Sequence, residues 1–251
     1  MRRGFSKGVR AAVRLSVAAG LVVLVCAAPP GAGQTASTSP SPWKDKPEKF
    51  RLATGPDGLF QREASSAVTV IRIFIPGGKN AVPEGREGLA YLATRLALEI
   101  PEFELARDIM DQAVEMEITV LEDFSVIGLA CLSEKLEASL RSASKIIQNP
   151  PFSGVRIGGI KEAMAIYRKA EQDDAADAGH GAVLEALFSG RGRGGATFGT
   201  EASLKAIGKK DVTDYYSRHF SGAGVLFSVC SDLDKDTIRG LLEKTFSKIG
   251  Q

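Results

Sequence analysis

Residues 114–132 read VEMEITVLEDFSVIGLACL. Val114, Met116, Ile118 and Val120 alternate with Glu115, Glu117 and Thr119, the two-residue period of a strand with one apolar and one wet face. Glu122-Asp123 breaks the run and turns the chain, and Phe124 to Leu132 returns as a second strand. An antiparallel hairpin is therefore expected, with Glu115 and Glu117 on its solvent side.

Upstream, Ala67 to Ile75 (AVTVIRIFI) is β-branched and nearly continuous in apolar character, which predicts a central strand. Pro76, Gly77 and Gly78 end it. Gly58 to Arg62 reads as a further strand. Gly85 to Glu99 carries Leu89, Leu92, Ala93 and Leu96 at helical spacing. Pro101 is suited to the first position of a helix over Glu102 to Gln112. Downstream, Ser133 is expected to cap a helix reaching Gln148, with Leu136, Leu140, Ala143 and Ile147 inward. Pro150-Pro151-Phe152 separates it from helices at Ile160 to Ala176 and Gly181 to Leu187. A glycine-rich loop, Ser189 to Gly199, leads to short helices at Ala202 to Ile207 and Val212 to Phe220. A strand at Val225 to Cys230 and a helix from Lys235 to Ile249 close the chain. This order predicts an α+β fold: a mainly antiparallel sheet flanked by helices on one face.

The chain has 251 residues, 44% hydrophobic and 25% charged, which excludes a disordered polyelectrolyte, a collagen-like fibre and a polytopic membrane protein. The net charge of +2 is uneven. Residues 1–33 carry Arg2, Arg3, Lys7, Arg10 and Arg14 and no acid, leaving the remainder at −3. An acidic body lacks the concentrated basic face of a nucleic-acid binder.

The five cations precede Leu15 to Ala28, an apolar run of 14 residues, too short for a membrane span of about 20. Charge, a short apolar core and then small residues read as an export signal over residues 1–33, with cleavage among Gly31, Ala32, Gly33 and Gln34. RRGFSK (Arg2 to Lys7) also fits a twin-arginine pattern. The expected location is periplasmic or extracellular, with mitochondrial import as the alternative and membrane contact only through the signal. Residues 34–43 form a Ser/Thr/Pro linker and 44–251 a single domain. Cys131 and Cys230 sit in apolar strand-like segments and are expected as buried thiols.

In order and spacing, these pieces resemble one half of the pitrilysin/insulinase family of zinc metallopeptidases, which includes the mitochondrial processing peptidase subunits. The resemblance spans Phe50 to Lys248. IFIPGGKN (Ile73 to Asn80) stands where the family has a strand and Ala-Gly-Ser. GLAYLATRLALE (Gly88 to Glu99) stands where it has Gly-Leu-Ala-His and the rest of its inverted zinc motif. IIQNPPF (Ile146 to Phe152), LFSGRGRGGATFGTEASLKAI (Leu187 to Ile207), and KKDVTDYYSRHF followed by VLFSVCSDLDKD also resemble family segments. The fold implied is of the LuxS/processing-peptidase type.

The family motif is His-x-x-Glu-His on a helix. Positions i and i+4 let two imidazoles share a zinc ion, and the Glu activates the metal-bound water. The matching positions here are Tyr91, Thr94 and Arg95. Arg95 has no lone pair to give, Thr94 is no base at neutral pH, and Tyr91 would have to ionise from about 10. Catalysis and bound zinc are therefore not expected. Glu171 lies 76 residues after Arg95, about where the family places its third ligand, and would be a relic of it. The following Asp173-Asp174 pair aligns that ligand position with Tyr167 or Arg168 instead. The two histidines, His180 and His219, carry no zinc spacing and read as surface or capping residues. GRGRGGATFG matches no phosphate loop, and no Gly-x-Ser-x-Gly is present.

In the family, heteromeric enzymes pair an active half with a degenerate one. The resemblance thus implies a non-catalytic subunit binding a zinc-bearing, peptidase-like partner, an extended peptide, or both. A divergent zinc peptidase active as a homodimer, and a purely structural domain, are the alternatives.

Overall fold

The computed structural model describes residues 46–100, 102–188, 196–220 and 224–249, all within a single compact unit, Asp45–Gln251. The expected export signal, the linker and positions 189–195 of the glycine-rich loop lie outside the described residues. Six strands form one sheet: β1 (Glu48–Arg51), β2 (Asp57–Arg62), β3 (Val68–Pro76), β4 (Glu115–Val120), β5 (Phe124–Leu132) and β6 (Leu226–Ser231), in the order β1-β2-β6-β3-β5-β4. β4 and β5 are the expected hairpin, with Ile118 opposite Ile127. β3 is interior, antiparallel to β5 and β6. Among the described strands only β2 and β6 run parallel.

β3 is central, but it is buried on one face only. Ile71, Ile73 and Ile75 point inward beside Ile127, Leu129, Phe227 and Val229, all nearly inaccessible. Val68 and Val70 point to the other side, where they are exposed. The two-residue period was hidden because valine occupies the outward positions too.

Eight helices complete the described fold: α1 (Leu89–Leu96), α2 (Phe103–Asp111), α3 (Leu136–Gln148), α4 (Gly154–Asp173), α5 (Ala175–Phe188), α6 (Glu201–Ala206), α7 (Lys209–His219) and α8 (Lys235–Thr245). The inner sheet face packs on α1, α3, α7 and α8 through Leu92, Leu96, Leu140, Val212, Ile238 and Leu242. α2 makes a smaller cluster with α3, where Leu105 and Ile109 meet Ile146. Among the described residues no helix is long and apolar enough to cross a membrane.

Several boundaries differ from expectation for local reasons. α1 starts at Leu89 instead of Gly85, because Gly85 and Gly88 both adopt left-handed backbone before it. α2 starts at Phe103 behind Glu102; Pro101, expected at its first position, lies outside the described residues. Ser133 does not cap α3. It sits in a 3-10 turn, and its hydroxyl joins a buried polar chain with Thr69 (2.8 Å) and the Asp232 carboxylate. α4 begins six residues earlier than expected, capped by the Ser153 hydroxyl, and runs through Gly158 and Gly159. Cys131 and Cys230 are free thiols, and only Cys131 is buried. They pair with Thr69 and Val70 of β3, adjacent residues, so they lie on opposite faces of the sheet.

α7 carries two phenols, Tyr215 buried and Tyr216 half-buried. Tyr216 donates to the Ile147 carbonyl. Burial pushes the Tyr215 phenol up to about 12 and raises Tyr216 further. Both exceed the unfolded value of about 10, so the unfolded chain releases these protons first. Their contribution to stability is complete below pH ~10 and is lost as pH rises towards ~12. Urea midpoints measured from pH 8 to 11 are expected to fall above pH ~10, and a flat profile there would contradict this.

Candidate functional site

The start of α1 is clamped by the segment leading into α6. Thr200 and Ser203 form a reciprocal capping box, and the Ser203 hydroxyl also donates to the Glu87 carbonyl at 2.8 Å. Gly199, in left-handed backbone, lies against that same carbonyl, where an added Cβ would collide. This close approach puts the Phe198 ring edge-on to Tyr91, with centroids 4.8 Å apart. The same ring tilts against Tyr167 of α4 at 5.3 Å. Two turns from different elements thus converge on one aromatic side chain.

Tyr91 and Arg95 stand one helical turn apart on α1, on the face turned to α4. With Glu99, Arg156, Gly159, Ile160, Ala163 and Tyr167 they line a cleft of about 270 Å³. Glu99 ties two guanidinium groups together: Arg95 at 2.8 Å and Arg156 at 3.6 Å. Arg156 also donates to the Ile100 carbonyl at 3.1 Å. Burial, and then the Tyr167 phenol, hold the Tyr91 phenol above its ordinary value, with Arg95 opposing. Tyr91 is therefore a neutral O–H donor at neutral pH.

Thr94 is turned away from this cleft. It is fully buried, and its hydroxyl donates to the Ala90 carbonyl at 2.7 Å. The donor set at the three motif positions is thus a protonated phenol, a committed hydroxyl and a guanidinium. Such a set does not fit zinc, which takes imidazole, thiolate or carboxylate. Among the described residues no group of three His, Cys, Asp or Glu is placed to hold a metal ion.

Glu171 lies apart from these residues. It lines a second cavity of about 720 Å³ with Lys79, Arg168, Asp177 and His180. Burial raises its carboxyl, Asp177 adds to that, and Lys79 opposes. Tyr167, one turn earlier on α4, is the residue beside Tyr91. His180 is exposed within α5, not at a helix start. His219 ends α7 with its ring over Gly77, and burial lowers its pKa. Phe198, Arg156 and Glu99 were missed from sequence. Only the spacing of Arg95 and Glu99, four apart on a helix, offered a signal.

α4 is weakened where it borders the cleft. Gly158 and Gly159 sit mid-helix, and a Cβ on either meets nothing within 4 Å. Glycine costs ~1 kcal/mol against alanine in a helix interior. Gly158→Ala is expected to stabilise the domain by about that amount and raise Tm by roughly 2–4 °C. Calorimetry showing an unchanged or lower Tm would contradict this.

No protein-family model matches the chain. The chain is 20% identical over 201 residues to the mouse (Mus musculus) mitochondrial cytochrome b-c1 complex subunit 1, covering 77% of the chain and 41% of that protein. Its fold is similar to the crystal structure of a peptidase M16 inactive domain from Pseudomonas fluorescens. The TM-score is 0.73 at 15% identity, over 81% of this chain and 51% of that one. It is likewise similar to the periplasmic protease PqqL of Escherichia coli, with TM-score 0.73 and 14% identity, over 83% of this chain and 24% of that one. The chain therefore spans between about a quarter and about half of the length of these proteins.

Proposed function

From a chain that resembles one half of a pitrilysin/insulinase-type (M16) peptidase, we propose a non-catalytic peptidase-like subunit that works with a second, zinc-bearing half. The observation that carries this is the donor set at the motif positions: Tyr91 neutral and beside Tyr167, Thr94 buried and bonded to its own helix, and Arg95 paired with Glu99. A hydrolytic site needs a metal-bound water and a base, and these side chains supply neither.

The need for a second half is supported by the uncovered sheet face. Val68, Val70, Phe124 and Leu132 all lie on the side of β3 and β5 away from the helices, and each is exposed. Val68, Val70 and Leu132 cluster at one end of this face and Phe124 stands at the other, with the Arg72–Glu117 ion pair between them; exposed apolar clusters rimmed by charge mark interaction sites. The partner in this reading is a peptidase-like subunit or domain, and an extended peptide is held between the two. Export to the periplasm or the exterior belongs to the same proposal, with mitochondrial import as its alternative; relatives of both locations fit it.

The test is metal content and peptide cleavage by the purified chain alone, offered equimolar zinc. The expected result is substoichiometric zinc and no chelator-sensitive cleavage. One zinc per chain with cleavage abolished by chelator would overturn the reading in favour of a divergent homodimeric peptidase.

A further inference from the structure

We propose that the cleft between α1 and α4 is a carboxylate-binding site, in which Arg95 receives the anion and the Tyr91 and Tyr167 hydroxyls complete its hydrogen bonds. This rests on the peptide-binding part of the proposed function and names what the peptide presents there.

The chemistry of the lining selects the ligand. Arg95 and Arg156 face Glu99 alone among the acids of the cleft, so its walls carry one net positive charge. That balance matches a monoanion and disfavours a dianion, which would meet the Glu99 carboxylate. Glu99 engages Arg95 through Nη1, and a guanidinium has five N–H donors in a fork that suits a planar carboxylate. The phenols add O–H donors. Tyr91 remains protonated because burial raises it. Ile160 and Ala163 give the floor an apolar patch for the carbon next to the carboxylate.

The cleft is also kept open at a cost. Gly159 lines it, is exposed, and stands mid-helix where alanine would serve α4 better. Any side chain at this position grows into open space, since its Cβ meets nothing within 4 Å. A structural filler role for Arg95 and the tyrosines would not require that gap.

Two peptide groups offer such a carboxylate: the C-terminus and an acidic side chain. The probes are three Ala/Val octapeptides labelled at the N-terminus with an uncharged boron-dipyrromethene dye: one with a free C-terminus, one amidated, and one amidated with a central glutamate. Fluorescence anisotropy on the full chain is expected to show one of the two acidic forms binding about tenfold or more tighter than the neutral amide, as for a charge-assisted hydrogen bond. Whichever acidic form binds identifies the source. Arg95→Gln and Gly159→Leu are each expected to remove that difference, with Arg95→Lys restoring part of it. Gly159→Leu keeps every charge, and circular dichroism verifies that it folds. Equal binding of all three peptides, or an acid preference that survives both variants, overturns the site while leaving peptide binding intact. Absence of binding by any of them overturns the site together with peptide binding by this half alone, and leaves the partner-binding reading to stand on its own test.

Discussion

A chain carrying Tyr91→His, Arg95→His and Tyr167→Glu is expected to bind one zinc ion at about micromolar free metal, a binding free energy of roughly 8 kcal/mol, where the natural chain is expected to bind none. Positions 91 and 95 are one turn apart on α1, and position 167 approaches them across the same phenylalanine ring. Two imidazoles and a carboxylate are a catalytic zinc set. Titration calorimetry reads the result. A companion variant with only Tyr91→His and Arg95→His is expected to bind at least tenfold more weakly, since Glu171 borders the other cavity. Equal affinity in the two would show that Glu171 reaches the site after all. Adding Thr94→Glu is expected to lower stability, because position 94 is fully buried and a carboxylate there lacks a partner. Failure of the triple variant to bind zinc would contradict the placement of Tyr167.

Phe227→Ala is expected to destabilise the domain by roughly 3–5 kcal/mol, the usual cost of emptying a large aromatic site in a core. Phe227 is fully buried, stands between Gly58 of β2 and Ile73 of β3, and packs on Phe246 with centroids 5.6 Å apart. The space over Gly58 is taken by the Phe50 ring, so Phe227 packs in an aromatic cluster. A loss of this size consumes much of a domain's net stability of about 5–15 kcal/mol. Urea unfolding provides the measurement, with Val155→Ala on the exposed face of α4 as the matched control expected to change little. A loss under about 1 kcal/mol for Phe227→Ala would contradict the assignment of β6 to the middle of the sheet.

These two expectations mark what was legible in the sequence. The β4–β5 hairpin was, because glutamate alternates with apolar residues along β4. The one-sidedness of β3 was not, since Val68 and Val70 mimic core residues. β1 escaped because EKFR is short and buries only Phe50. The parallel pairing of β2 with β6 joins segments far apart in the chain, which no local period encodes. α4 was placed from Ile160 onward, yet the Ser153 hydroxyl caps a helix that starts at Gly154 and passes through Gly158-Gly159. The site was half legible. Tyr91, Thr94 and Arg95 were singled out by the resemblance to the family's helix motif, which could not show that Thr94 turns inward. Phe198 was out of reach altogether, since it is placed by a backbone approach between Gly199 and Glu87.

Purification of the chain from its native host under mild conditions, with identification of what co-elutes, tests the account at its centre. The account predicts a stoichiometric partner bearing an intact His-x-x-Glu-His helix, with zinc and peptide cleavage assigned to that partner. A chain recovered alone as a stable monomer would contradict it and favour a purely structural domain.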